Sequence, residues 1–312
     1  MLERFYAGDV RSLSRLISIV ENRSDGYREL LARLYERVGG SVRIGLTGPP
    51  GAGKSTLLNS LARQYLSDGR KVGVIAVDPT SPFSGGALLG DRVRMQEFPS
   101  DGSFYFRSMA TRGATGGLAS ATDNVGIVYD AFGFDITLIE TVGVGQVELD
   151  IIDSCDTVVV VLVPESGDAV QTMKAGLMEI ADLFCVNKAD RPGADRIVSE
   201  LRQTLDTRKR LAAEWEVPII PTQAVTGKNV DALYAAILKH VEVMQAAGQF
   251  EAHRREQVRR KILNILKNRF QREFIERVVG RTEFDRIIDD VRNGRTNPFL
   301  IGDRLYEEFC RD

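Results

Sequence analysis

Two hydrophobic periods alternate along this chain and divide it. After Asp9, which reads as a helix N-cap, Leu13, Leu16, Ile17 and Val20 recur at helical spacing, and Leu30, Leu31, Leu34 and Val38 repeat the pattern before Gly39-Gly40. This predicts an N-terminal helical segment over residues 1–40 whose apolar faces pack on the adjoining domain. From Ser41 the pattern changes to short apolar runs at 42–46, 71–77, 103–106, 136–140, 157–163, 183–187 and 217–221, separated by amphipathic stretches. Runs dense in Val and Ile are strands buried on both faces, so residues 41–245 are expected to form an α/β domain with a mainly parallel sheet flanked by helices. Beyond residue 227 the period is helical again. Residues 230–244 are amphipathic, residues 246–249 read as a break, and residues 251–279 carry Val258, Ile262, Ile265, Leu266, Phe270, Phe274 and Val278 on one broad face. Phe284, Ile287, Ile288 and Val291 extend it, and Asn297-Pro298 opens a last helix with Leu305 and Phe309. Residues 246–312 are therefore expected to be a separate helical region.

Composition narrows the classes. With 312 residues, 43% hydrophobic, 27% charged and a net charge of -2, the chain reads as an ordinary globular protein with no bias towards nucleic acid or an anionic membrane. The long helix at 251–279 is rich in Arg, but Glu251, Glu256, Glu273 and Glu276 interrupt the basic face, which suits a second helix or subunit better than lipid. Cys155, Cys185 and Cys310 are scattered and odd in number, which fits a reducing compartment better than disulfides or a metal cluster. His240 and His253 read as surface residues. With Glu3, Asp9, Arg11 and Arg15 breaking up the first twenty residues, no export signal is expected, and the reading is cytoplasmic.

The chemistry begins directly after the first strand. Gly48-Pro49-Pro50-Gly51-Ala52-Gly53-Lys54-Ser55-Thr56 fits G-x-x-x-x-G-K-[ST] between a predicted strand and a predicted helix, the context that defines a P-loop. In such a loop the glycines let backbone N–H groups wrap a phosphate chain, Lys54 reaches the β- and γ-phosphates, and Ser55 offers a hydroxyl to Mg²⁺. The second strand ends at Asp78-Pro79 and leads into a Gly-, Pro- and Ser-rich stretch that ends near Asp91. Asp78 and Asp91 are both positioned to meet a metal if that stretch folds over the phosphates, although Asp78 also reads as a turn residue and Asp91 as a helix cap.

Glu140-Thr141-Val142-Gly143 places an acid at a strand end with glycine three residues later, the [DE]-x-x-G arrangement in which a carboxylate organises Mg²⁺ and a glycine N–H contacts the γ-phosphate. Val144 rather than Gln follows Gly143, so no Ras-like glutamine is present to position water. Asn187-Lys188-Ala189-Asp190 fits N-K-x-D at another strand end. The Asp190 carboxylate can accept from guanine N1–H and N2–H₂, Asn187 braces the loop and Lys188 lies along the base plane, which points to GTP over ATP. Gln223 and Ala224 follow a further strand, where a backbone N–H near Ala224 could reach guanine O6.

With these motifs in order, the chain resembles the methylmalonyl-CoA mutase-associated GTPases, a group also known as lysine/arginine/ornithine transport kinases. The resemblance rests on residues 48–56, 77–91, 140–146 and 187–190. It implies a P-loop NTPase fold with a C-terminal helical dimerisation arm and a homodimer. It assigns Asp78, Asp91 and Glu140 to the metal and switch region, and Gln171 and Lys174 to a third switch loop that communicates with a partner. The implied activity is Mg²⁺-dependent hydrolysis of GTP to GDP, gating cofactor loading and protecting an adenosylcobalamin-dependent acyl-CoA mutase. In the absence of a switch glutamine, Arg94 and Lys174 are the candidate cations for transition-state charge. Three other readings compete: a kinase of an amino-acid transport system, a metallochaperone GTPase, and a helical scaffold with a vestigial P-loop. Asp190 disfavours the first, and the lack of clustered Cys and His disfavours the second.

Overall fold

In the computed structural model, residues 1–78, 97–110, 117–141, 154–165, 177–208, 215–279 and 283–311 are described. They divide into two units, residues 1–251 and 252–312.

The first unit opens with helices α1 (Leu2–Tyr6), α2 (Val10–Glu21) and α3 (Tyr27–Leu34). Asp9 caps α2, accepting from the Ser12 N–H at 2.9 Å. A seven-stranded parallel sheet comes next, built from β1 (Val42–Thr47), β2 (Val72–Asp78), β3 (Phe104–Ala110), β4 (Ile136–Glu140), β5 (Thr157–Leu162), β6 (Leu183–Val186) and β7 (Ile219–Pro221) in the spatial order β3-β2-β4-β1-β5-β6-β7. The longer helices α4 (Lys54–Ser67), α5 (Gly117–Phe132), α6 (Ala194–Arg208) and α7 (Val230–Ala246) connect and flank the strands.

Strand alternation sends side chains into two cores. Val72, Val74, Ile44, Leu46, Val159 and Val161 meet Leu57, Leu58 and Leu61 of α4 and Leu233 and Ile237 of α7. Ile75, Val77, Val158, Val160 and Leu162 meet the other face, where α5, α6 and the apolar stripe Leu13, Leu16, Ile17 and Val20 of α2 pack. Each fully buried aliphatic side chain here is worth about 1.5–3 kcal/mol, so the N-terminal helices are part of this core.

Polar anchors fix the connections. The Asp130 carboxylate of α5 accepts from the N–H groups of Gly39, Gly40 and Ser41 at 2.8, 3.1 and 3.0 Å, clamping the entry to β1. The Tyr129 hydroxyl donates to Val74 O at 3.0 Å, and its ring lies so close to β2 that a Cβ at Gly73 would come within 2.4 Å of it.

Two sequence expectations change. β3 runs four residues beyond the expected end at 106, because it is an edge strand: Arg107 pairs with Ile75 in the ladder while its guanidinium reaches Glu21 of α2. His240 is buried, at 1% exposure, and not on the surface. Its Nδ1 shares a 2.9 Å hydrogen bond with the Thr157 hydroxyl, Trp215 packs edge-on at 4.9 Å, and Asp182, whose carboxyl burial pushes up to about 7, lies 3.5 Å from Nε2.

The second unit consists mainly of α8 (Gln249–Phe274, from residue 252 onward), α9 (Glu283–Arg292) and α10 (Pro298–Arg311). Phe309 of α10 meets Phe270 and Phe274 at ring distances of 5.1 and 5.3 Å. Val258, Ile262, Leu263, Ile265, Leu266 and Phe270 remain 42–57% exposed on α8. No helix among the described residues is long and apolar enough to cross a membrane.

Candidate functional site

All strands are parallel, so their C-terminal ends share one edge, where ligands bind in such sheets. β1, β4 and β6 deliver residues 48–56, Glu140 and Asn187 to that edge. In the ladders Leu46 is opposite Glu140, and Thr47 is opposite Val160.

The phosphate loop needs its glycines for two reasons. Gly48, Gly51 and Gly53 have φ of 139°, 75° and 86°, a region that side chains disfavour. A Cβ on Gly48 would lie 2.0 Å from Val161 O, and one on Gly53 2.3 Å from Asn187 Nδ2. Pro50 and Gly51 are exposed, Ala52 is buried, and Lys54 opens α4 with its ammonium donating to Gly48 O at 2.8 Å and Pro49 O at 3.0 Å. The loop carbonyls thus hold the buried lysine head over the loop, at the positive end of the α4 dipole. Thr56 lies one residue beyond Ser55 in the same first turn.

Ser55 and Glu140 meet directly: the Ser55 hydroxyl donates to Glu140 Oε1 at 2.6 Å. A hydroxyl and a carboxylate side by side are hard oxygen donors of the kind Mg²⁺ takes. A second tie lies on the opposite face of the same strands, where the Thr141 hydroxyl donates to Thr47 Oγ1 at 3.0 Å and the Thr141 N–H to Leu46 O at 3.1 Å. Both threonines are fully buried, and their pairing is not among the contacts expected from sequence.

Asn187 joins the loop after β7 to the phosphate loop. Its Nδ2 donates to Ala52 O at 2.8 Å, while its Oδ1 accepts from the Ala224 N–H at 3.0 Å and the Thr222 hydroxyl at 3.2 Å. The Ala224 N–H, expected to reach guanine O6, donates to Asn187 in this structure. Lys188 takes φ 56°, which turns the chain so that Asp190 emerges exposed beside the loop. The neighbouring Gln223 is held by its backbone, its N–H donating to Lys228 O at 3.0 Å. Arg191 forms an ion pair with Glu165, at the head of the segment after β5.

Several expected site residues are not among those the structure describes. Asp78 closes β2 at the same edge, but its side chain lies outside the described residues, as do Asp91, Arg94, Gly143, Gln171 and Lys174. The residues brought together are Lys54, Ser55, Glu140 and Asn187, with Asp190 on the adjoining loop.

A family model described as methylmalonyl Co-A mutase-associated GTPase MeaB matches residues 13–278. The chain belongs to the MeaB family. A GTPase-named protein of Pyrococcus abyssi is 45% identical over 310 residues, covering 99% of this chain and 95% of that one. The mouse methylmalonic aciduria type A homolog, a mitochondrial protein, is 32% identical, covering 99% of this chain and 79% of its own. A solved structure described as a LAO/AO transport system kinase superposes with a TM-score of 0.71 at 25% identity, covering 99% of this chain and 96% of that one. This MeaB-family protein is a P-loop GTPase.

Proposed function

We infer that this MeaB-family GTPase is a Mg²⁺-dependent, cytoplasmic chaperone of an adenosylcobalamin-dependent acyl-CoA mutase, using GTP hydrolysis to gate cofactor loading and protect the mutase. The observation that carries the switch reading is the Ser55–Glu140 hydrogen bond, because it ties the strand that leads into the switch segment to the phosphate loop. The partner reading is supported by the family description and by kinship with the mouse protein.

The residues divide the work. The N–H groups of residues 48–56 and the N-terminus of α4 receive the phosphate chain, and Lys54 adds a fixed positive charge. Ser55 and Glu140, with Asp78 and Asp91 from the neighbouring segment, would hold Mg²⁺, which when bound draws charge off the phosphates. Water adds to the γ-phosphorus as the bond to the β–γ bridging oxygen breaks, giving GDP and phosphate with release of a proton. Lys54 stabilises the charge that grows on the leaving oxygen, Gly143 offers its N–H to the γ-phosphate, and Asp190 selects guanine. Arg94 and Lys174 supply further positive charge once the mutase docks.

The test is turnover with the partner. Adding purified cognate mutase to the full chain is expected to raise the GTP hydrolysis rate at least severalfold, and Arg94→Ala or Lys174→Ala to remove most of that increase. A pull-down with GTP and with GDP that recovers no cobalamin-dependent mutase in either state would overturn the partner reading. Unchanged stimulation in both variants would overturn the roles given to the two cations.

The exposed apolar face of α8 supports a homodimer built through the C-terminal unit. Light scattering is expected to report twice the chain mass of 34.5 kDa, and Leu266→Asp, at a 57% exposed position, to return the monomer. A monomeric wild-type chain across the accessible concentration range would contradict this.

A further inference from the structure

The ends of β1 and β4 are joined twice, and the two links are made of different groups. Side chains alternate along a strand, so Glu140 shares a face of the sheet with its ladder partner Leu46, while Thr141 and Thr47 point to the other face. Thr47 is the residue before Gly48, where the phosphate loop begins, and Thr141 is the residue after Glu140. The Thr141 hydroxyl donates to Thr47 Oγ1 at 3.0 Å. The Thr141 N–H donates to Leu46 O at 3.1 Å, one step past the last pair of the β1–β4 ladder. Both side chains are 0% exposed.

Packing alone does not call for two hydroxyls here. Their neighbours on that face, Ile139 and Val160, are apolar and belong to the core, and valine would match the shape of either threonine with no polar group to satisfy. A hydrogen bond adds a fixed separation and direction, which apolar contact does not supply. It also has a firm reference, because β1 is paired with β4 on one side and β5 on the other. The Ser55 hydroxyl and the Glu140 carboxylate are the groups assigned to Mg²⁺, so their mutual bond gives way when the ion enters. The threonine bond uses neither group and can persist in both states.

We propose that Thr47 and Thr141 are positioning residues for GTP hydrolysis. Their bond holds the end of β4 against the root of the phosphate loop, so the Glu140 carboxylate stays in register with Ser55 while both turn to the ion. They act through the backbone, since each adjoins a site residue: loosening the bond lets the carboxylate and the loop drift apart. Misplacement by about 1 Å is enough to cost about 10²-fold in rate. The role rests on the Mg²⁺ reading given above.

Thr47→Val, Thr141→Val and the double variant test it, with Thr141→Ser as the conservative control. Retention of a fluorescent GDP analogue by the full chain is titrated with Mg²⁺, and GTP turnover is measured alongside. In each single valine variant the Mg²⁺ concentration for half-maximal retention is expected to rise about tenfold and kcat to fall by a similar factor. Affinity for the analogue in excess chelator should stay at the wild-type value. Thr141→Ser keeps the hydroxyl and should titrate like wild type, although it removes a methyl from the core. The double variant separates position from stability. Neither hydroxyl then leaves the other unpaired, so its melting temperature should lie at or above those of the single variants, whereas the Mg²⁺ shift should persist at the single-variant size rather than add. The proposal is overturned if the valine variants titrate like wild type, if the double variant regains the wild-type titration, or if Thr141→Ser shifts as far as Thr141→Val. A wild type whose retention does not respond to Mg²⁺ would overturn the metal reading and this role together.

Discussion

Gly48→Ala is expected to abolish nucleotide binding and to lower the melting temperature by about 10 °C. The added methyl would lie 2.0 Å from Val161 O, and that carbonyl belongs to the central strand β5, paired on both sides and unable to retreat. Overpacking of this kind costs about 1–3 kcal/mol, and holding a side chain at positive φ adds about 1–2 kcal/mol. Gly51→Ala provides the contrast: φ there is 75°, but nothing lies within 4 Å of the new methyl, so a loss of only about 1 kcal/mol is expected. Thermal unfolding and titration with a fluorescent guanine nucleotide read both effects. Near-wild-type melting and affinity in Gly48→Ala would mean that the loop does not pack on β5 as described.

The second large effect concerns base choice. Asp190→Asn should weaken GTP by about 10³-fold, because the amide can accept from only one of the two guanine N–H groups and turns its own donor towards the other. Xanthosine triphosphate, which carries a carbonyl where guanine has its amino group, should gain affinity in the same variant. Competition against a labelled guanine nucleotide measures both, and Asp190 is exposed, so stability should hardly change. If the variant keeps its preference for guanine over xanthine, Asp190 is not the base-reading residue.

Much of this site is legible in the sequence because its chemistry is local. The P-loop, Glu140 and Asn187-Lys188-Ala189-Asp190 each come directly after an apolar run, and the parallel sheet puts the ends of those runs at one edge. What the sequence hides depends on contacts between distant segments. The Thr47–Thr141 pair joins residues 94 apart, and nothing in either neighbourhood announces it. The Ala224 N–H reads as free in its own segment, yet Asn187, 37 residues earlier, occupies it. The burial of His240 does carry a signal: it continues Leu233 and Ile237 on the same face of α7, at the spacing that marks the buried stripe. The end of β3 is harder to read, because an edge strand can carry Arg107, whose charge finds Glu21 on a neighbouring helix.

Asn187 commits both ends of its amide to the backbone of other segments, one to the phosphate loop at Ala52 and one to the loop after β7 at Ala224. The two halves of the nucleotide pocket are thus a single mechanical part. Rebuilding residues 187–190 is therefore expected to disturb the phosphate loop through Ala52, and a change in either loop to be felt in the other.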